Sequence, residues 1–106
     1  LRGDVLITEG VKYVADTVGA YWLLDAICIA NAYETKIRAE DFQLWVLSVN
    51  EDSTATLTCD DGNGNVVYQQ TLDFPDFPHP GIKLYFYNAM ISLRSEYALR
   101  AVSFSA

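Results

Sequence analysis

"FQLWVLSVNEDSTATLTCDDGNGNVVYQQTLDF", Phe42 to Phe74, decides how this chain folds. Apolar, β-branched and aromatic residues recur along it at a period of two, and two clusters of turn formers interrupt them. That spacing predicts three successive strands, Phe42–Val49, Thr54–Asp60 and Val66–Phe74. Directly opposed residues of an antiparallel pair share a face, so the length of each turn fixes which side chains meet. Reading "NEDS" as a four-residue loop sets Val49 opposite Thr54, Leu47 opposite Thr56 and Trp45 opposite Thr58. Matching Ala55, Leu57 and Cys59 to Val66, Tyr68 and Leu72 requires an even loop at the second turn. Asp61-Gly62, Asn63-Gly64 and all four together each satisfy this.

The second turn, "CDDGNGN" (Cys59–Asn65), invites readings other than a hairpin. A calcium loop of the EF-hand type needs Gly at its sixth position and Glu at its twelfth. Counted from Asp61, those positions hold Val66 and Leu72. A phosphate cradle needs glycines at fixed spacing and a following helix, whereas "VVYQQTL" is strand-like. What fits is a tight turn, because Asp-Gly and Asn-Gly supply the positive φ angles that hairpins demand.

Outward from this core, "GIKLYFYN" adds a fourth strand, Ile82–Asn88, after the Pro-rich "DFPDFPHPG". The tail from Ala89 suits either a helix or a short strand. Upstream, Val11, Val14, Ala15 and Val18 form one helical stripe after Thr8, a plausible N-cap. Gly19 ends that helix, and an apolar helix runs from Ala20 to about Tyr33. "ETKIRAED" reads as a charged connector. The expected fold is a single α+β domain over residues 1–106. An N-terminal helical hairpin, Thr8–Tyr33, packs on one face of a four-stranded antiparallel β-meander.

Fourteen Asp and Glu against seven Lys and Arg give a net charge of −7, which repels phosphate backbones and anionic membranes. Direct nucleic-acid binding is therefore not expected, while a basic protein partner is compatible. The most apolar window is too short for a bilayer and contains Asp25, so no membrane span is expected. "LRGDVLITEG" lacks the apolar region of a signal peptide. Cys28 and Cys59 read as buried thiols of a reducing cytoplasm.

Chemistry has few candidates. His79, the one histidine, lies between two prolines and reads as a solvent-exposed loop residue. Asp73 and Asp76 flank Pro75, where Asp commonly serves turn formation, although the two could form a carboxylate pair. Asp25 interrupts an apolar helix and, if buried, needs a donor or a proton. One His and two distant Cys make no metal set, and no cofactor cradle is present.

The predicted register has a functional consequence. If Leu57 and Cys59 face the helices, Trp45, Leu47 and Val49 look away from them, joined by Lys83, Tyr85 and Tyr87 of the fourth strand. Such an aromatic outer face resembles an interface. Trp45, Leu47, Val49, Tyr85 and Tyr87 are thus the expected binding residues, for a protein partner or for a second copy in a homodimer, unless the tail from Ala89 covers them.

"TEGVKYVAD", "GAYWLLDAI", "FQLWVLSV", "ATLTCDDGNGN" and "SEY", in that order, resemble a family of small uncharacterised proteins of bacterial, phage and plasmid genomes, a domain of unknown function. The resemblance spans about Thr8 to Tyr97 and brings no catalytic residues. It implies a mobile-element setting in a prokaryotic cytoplasm. The expected function is a non-enzymatic interaction protein, such as an acidic inhibitor of a host nucleic-acid-handling defence protein, as an anti-CRISPR is. The alternative is a small enzyme using Asp25 or the Asp73 and Asp76 carboxylates.

Overall fold

The computed structural model describes residues 5–73 and 76–94. In chain order they form β1 (Leu6–Ile7), α1 (Glu9–Val18), α2 (Tyr21–Tyr33), α3 (Thr35–Arg38), β2 (Phe42–Val49), β3 (Thr54–Asp60), β4 (Val66–Asp73), β5 (Gly81–Tyr87) and β6 (Met90–Leu93). The class is α+β, as the sequence implies. The sheet is larger than expected: it has six strands in the order β1-β6-β5-β2-β3-β4, and its β1–β6 pair is parallel.

The helices begin and end where local chemistry directs. Thr8 Oγ1 accepts the Val11 N–H at 3.3 Å, and Gly19 closes α1 at φ 70°, a left-handed angle that costs glycine little. Within α1 Asp16 accepts from Lys12 Nζ at 2.9 Å, and across the joint it accepts from the Tyr21 hydroxyl at 2.7 Å. These two hydrogen bonds, Lys12's before Tyr21's, hold the exposed Asp16 carboxyl below its ordinary range. The joint falls where expected, but β1 precedes the helices. The "charged connector" also contains α3, whose Ile37 is fully buried. Arg38 Nη1 donates to the carbonyl of Ala32 at 2.8 Å, satisfying an acceptor at the end of α2.

The four expected strands exist, but they do not form a meander. β5 returns to pair with β2 rather than β4, giving the order β5-β2-β3-β4 of a Greek key. The strand compositions explain this. "FQLWVLSV" is apolar at most positions and suits the centre of a sheet, flanked by a strand on each side, whereas "VVYQQTLD" is polar through its middle and suits an edge. The chain from β4 reaches β5 through "FPDFPHP". The Val49 N–H donates to Pro80 O at 2.9 Å there, and His79 Nδ1 lies 2.6 Å from Val49 O, which an Nδ1–H would donate to. His79 is exposed as expected. Gly81, at φ 112°, lies so close to β2 that a Cβ would collide with the Leu47 carbonyl.

Register is the second correction. The "NEDS" turn is a three-residue loop: Asn50 N–H donates to Thr54 O at 2.8 Å, Ser53 N–H to Asn50 O at 3.1 Å, and Ser53 sits at φ 69°. This is a turn closed by a left-handed residue and a bulge. The odd loop pairs Val49 with Ala55, Leu47 with Leu57 and Trp45 with Cys59, one residue from the expected register. Trp45, Leu47 and Val49 therefore face the helices and join Val11, Leu23, Leu24, Ile27, Leu57 and Leu84 in one core. At the other turn Asp61 N–H donates to Asn65 O at 3.3 Å around Gly62, Asn63 and Gly64, again an odd loop. A bulge beside Cys59 restores the parity, so Cys59 meets Tyr68 and Ala55 meets Leu72 on the core face.

Candidate functional site: the outer face of the sheet

Alternation along β2 places Gln43, Trp45, Leu47 and Val49 inward and Phe42, Leu44, Val46 and Ser48 outward. Of the five expected binding residues, the structure keeps Tyr85 and Tyr87 on the outer face and removes three. Trp45, Leu47 and Val49 are 1%, 2% and 6% exposed and cannot touch a partner without unfolding. Phe42, Leu44 and Val46 take their places: Phe42 pairs with Tyr87, Leu44 with Tyr85 and Val46 with Lys83. Phe42 meets Tyr85 edge to face at 5.2 Å and 70°, a geometry aromatic rings favour. Thr54, Thr56 and Thr58 of β3 continue the same face. Tyr87 is 45% exposed, and Phe42, Leu44, Val46 and Tyr85 are half-buried. Of the tail from Ala89, Met90–Leu93 forms β6 and pairs beside β5 in the sheet, and residues 95–106 lie outside the described residues.

The turn motif belongs to this face. A Cβ on Gly62 would sit 2.8 Å from the Phe42 ring, so the loop lies directly against it. Its carboxylates act as local acceptors. Asp60 Oδ1 takes the Gly62 N–H at 2.6 Å, and Asp61 takes the Asn63 N–H at 2.8 Å and the Asn65 side-chain amide at 2.9 Å. The Asn65 amide first, and the Asn63 N–H next, hold the exposed Asp61 carboxyl below its usual range. Among the described residues no three His, Cys, Asp or Glu side chains gather where they could hold a metal ion.

The strand pairing gathers charge at both ends of the face. Glu40, Asp41, Asp60 and Asp61 lie at the end where β2 starts and β3 finishes, and Glu51, Asp52 and Asp73 lie at the other. Asp52 accepts from the Thr54 hydroxyl at 2.6 Å and from its N–H at 3.1 Å, and these bonds hold its carboxyl below the ordinary range.

A buried polar group that the sequence reading passed over fixes the face from behind. Gln43, 1% exposed, donates to Asn31 Oδ1 at 2.7 Å and to Ile37 O at 2.9 Å, and its Oε1 accepts from Trp45 Nε1 at 2.8 Å and Asn31 Nδ2 at 3.0 Å. One amide thereby ties α2 and α3 to β2. Its sequence signal was a lone Gln at an inward position of an otherwise apolar strand.

The other candidates separate. Asp25 is exposed on α2 and Asp73 and Asp76 are exposed, so Asp25 poses no problem of buried charge. Cys28 and Cys59 are buried free thiols, as expected, and burial pushes the Cys59 thiol up to about 12. Among the described residues no helix is long and apolar enough to cross a membrane.

The fold and its two-sided central strand define a small α+β domain with an aromatic sheet face between acidic ends. The chain belongs to a family of unknown function, DUF6876, whose description matches residues 1–97. No curated protein and no solved structure matches it.

Proposed function

We propose that this chain is a non-enzymatic interaction protein of a prokaryotic mobile element. It acts in the cytoplasm as an inhibitor of a host defence protein that handles nucleic acid. The observation that carries this reading is the outer face itself, with Phe42, Leu44, Val46, Tyr85 and Tyr87 flanked at both ends by carboxylates in a chain of net charge −7. Aromatic side chains at the centre of a patch supply binding energy, and charge at its rim steers a basic partner and rejects nucleic acid. The two acidic ends stand about 25 Å apart along an eight-residue strand, a span that fits a basic groove.

The test is capture from host lysate on immobilised protein at two salt concentrations, beside Tyr87→Ala. A partner retained at low salt, released at high salt and lost by the variant supports the reading. Retention unaffected by Tyr87→Ala, or no retained protein, overturns it.

A further inference from the structure

The two edges of the sheet are unlike. One is β1, only two residues long; the other is β4, eight residues with no Lys and no Pro, uncharged from Val66 to Leu72. Long, flat, uncharged edges invite another strand, and proteins usually blunt them with charge or proline. Val66 is 55% exposed, and Gln69, Gln70 and Thr71 are exposed. Among the described residues no backbone hydrogen bond reaches the outer side of β4.

The hydrogen-bond phase identifies the free groups. Because Asn50 N–H bonds Thr54 O, the backbones of Thr54, Thr56 and Thr58 turn to β2, and those of Ala55, Leu57 and Cys59 to β4. Their partners Leu72, Gln70 and Tyr68 spend their N–H and C=O groups on β3. Gln69, Thr71 and Asp73 point theirs outward.

We infer that β4 is a self-association edge. It pairs antiparallel with β4 of a second copy about a two-fold axis at Gln70, joining the two sheets into one. In this register Gln69 and Thr71 of each copy exchange hydrogen bonds with Thr71 and Gln69 of the other, Tyr68 lies opposite Leu72, and Gln70 faces its own counterpart. The pairing satisfies the outward groups, keeps both helical layers on one side and opposes no like charges. It also leaves the bulge at Val66 and Val67 at the end of the overlap. The Tyr68 hydroxyl donates to Gln70 Oε1 at 2.9 Å, orienting the amide whose NH₂ reaches across the axis. A register centred on Gln69 would instead bring the bulge inside the paired segment. This edge is separate from the Tyr85 and Tyr87 face and does not depend on its function.

Sedimentation velocity across a concentration series tests the inference. Dimer is expected, strengthened by salt because each copy carries −7. Thr71→Pro removes an N–H that the single chain does not use, so it should weaken dimerisation at least about tenfold while the thermal midpoint stays within a few degrees. If that variant fails to fold, Gln70→Lys replaces it, setting two positive charges across the axis. Gln70→Cys should form an inter-chain disulfide under mild oxidation, since opposed residues at such a position lie about 4.5 Å apart between Cα atoms. Gln69→Cys should not. A chain monomeric at millimolar concentration, a dimer indifferent to Thr71→Pro or Gln70→Lys, or cross-linking through Gln69→Cys in preference to Gln70→Cys overturns the proposal.

Discussion

The two hairpin turns are alike in length and opposite in consequence. "CDDGNGN" is dense in turn residues, and its two glycines take φ 88° and 89° while Asp60 and Asp61 satisfy the loop from within. Its three-residue loop is matched by a bulge, so the strands it joins meet on the face their apolar residues require. "NEDS" carries no glycine, yet Ser53 adopts the left-handed angle and Asn50 pairs with Thr54. Nothing later offsets that odd loop, and all of β2 rotates by one face relative to an even one. A conspicuous turn motif can be locally self-contained, while an inconspicuous one decides which side chains form the core.

The largest expected effect comes from the strand that "NEDS" orients. Trp45→Ala should cost about 3–5 kcal/mol in denaturant unfolding, because it empties a fully buried site, whereas Tyr87→Ala on the other face should cost under about 1 kcal/mol. Equal costs would mean that the faces are misassigned. Next comes Gly81→Ala, expected to cost about 3 kcal/mol by driving a methyl group into the Leu47 carbonyl at a φ that alanine avoids. An unperturbed midpoint would show that β5 does not approach β2 as described.

Gln43→Leu should lose about 1–3 kcal/mol, since it takes from Asn31 Oδ1 and Trp45 Nε1 the partner that Gln43 supplies, while the Ile37 carbonyl keeps the Glu40 N–H at 3.0 Å. Indole fluorescence should shift as the Trp45 hydrogen bond disappears. The smallest effect separates the turns directly. Ser53→Gly relieves a left-handed non-glycine residue and should stabilise by about 0.5 kcal/mol, while Gly64→Ala, at a comparable angle, should destabilise by about 1 kcal/mol.

The Cys59 thiol gives a pH test on the core side of the second turn. Its folded pKa is raised from 9.0 to about 12, first by burial and then by Asp60 and Glu40. The contribution to stability is therefore intact below pH 9 and is lost as pH rises from 9 towards 12. Cys59→Ala should flatten the alkaline limb of the stability profile. An unchanged limb would place that loss elsewhere.

Local chemistry by itself determined the helix start at Thr8, the break at Gly19, the hairpin at Cys59–Asn65, the existence of the four strands read as Phe42–Val49 to Ile82–Asn88, the last of them found at Gly81–Tyr87, and the α+β class. Each depends on a residue acting within a few positions of itself. The outer-face position of Tyr85 and Tyr87 could also be read, because apolar residues alternate with Lys83, Tyr85 and Tyr87 along β5. Which face β2 presents could not, since Phe42, Leu44 and Val46 are as apolar as Trp45, Leu47 and Val49 and either set could fill a core. Only the three-residue turn at Ser53, the β5–β2 pairing and the Gln43 bonds to Asn31 and Ile37 decided between them. The addition of β1 and β6 to the sheet was equally out of reach. Two- and four-residue strands have too little periodicity of their own and form because an existing edge offers them hydrogen bonds.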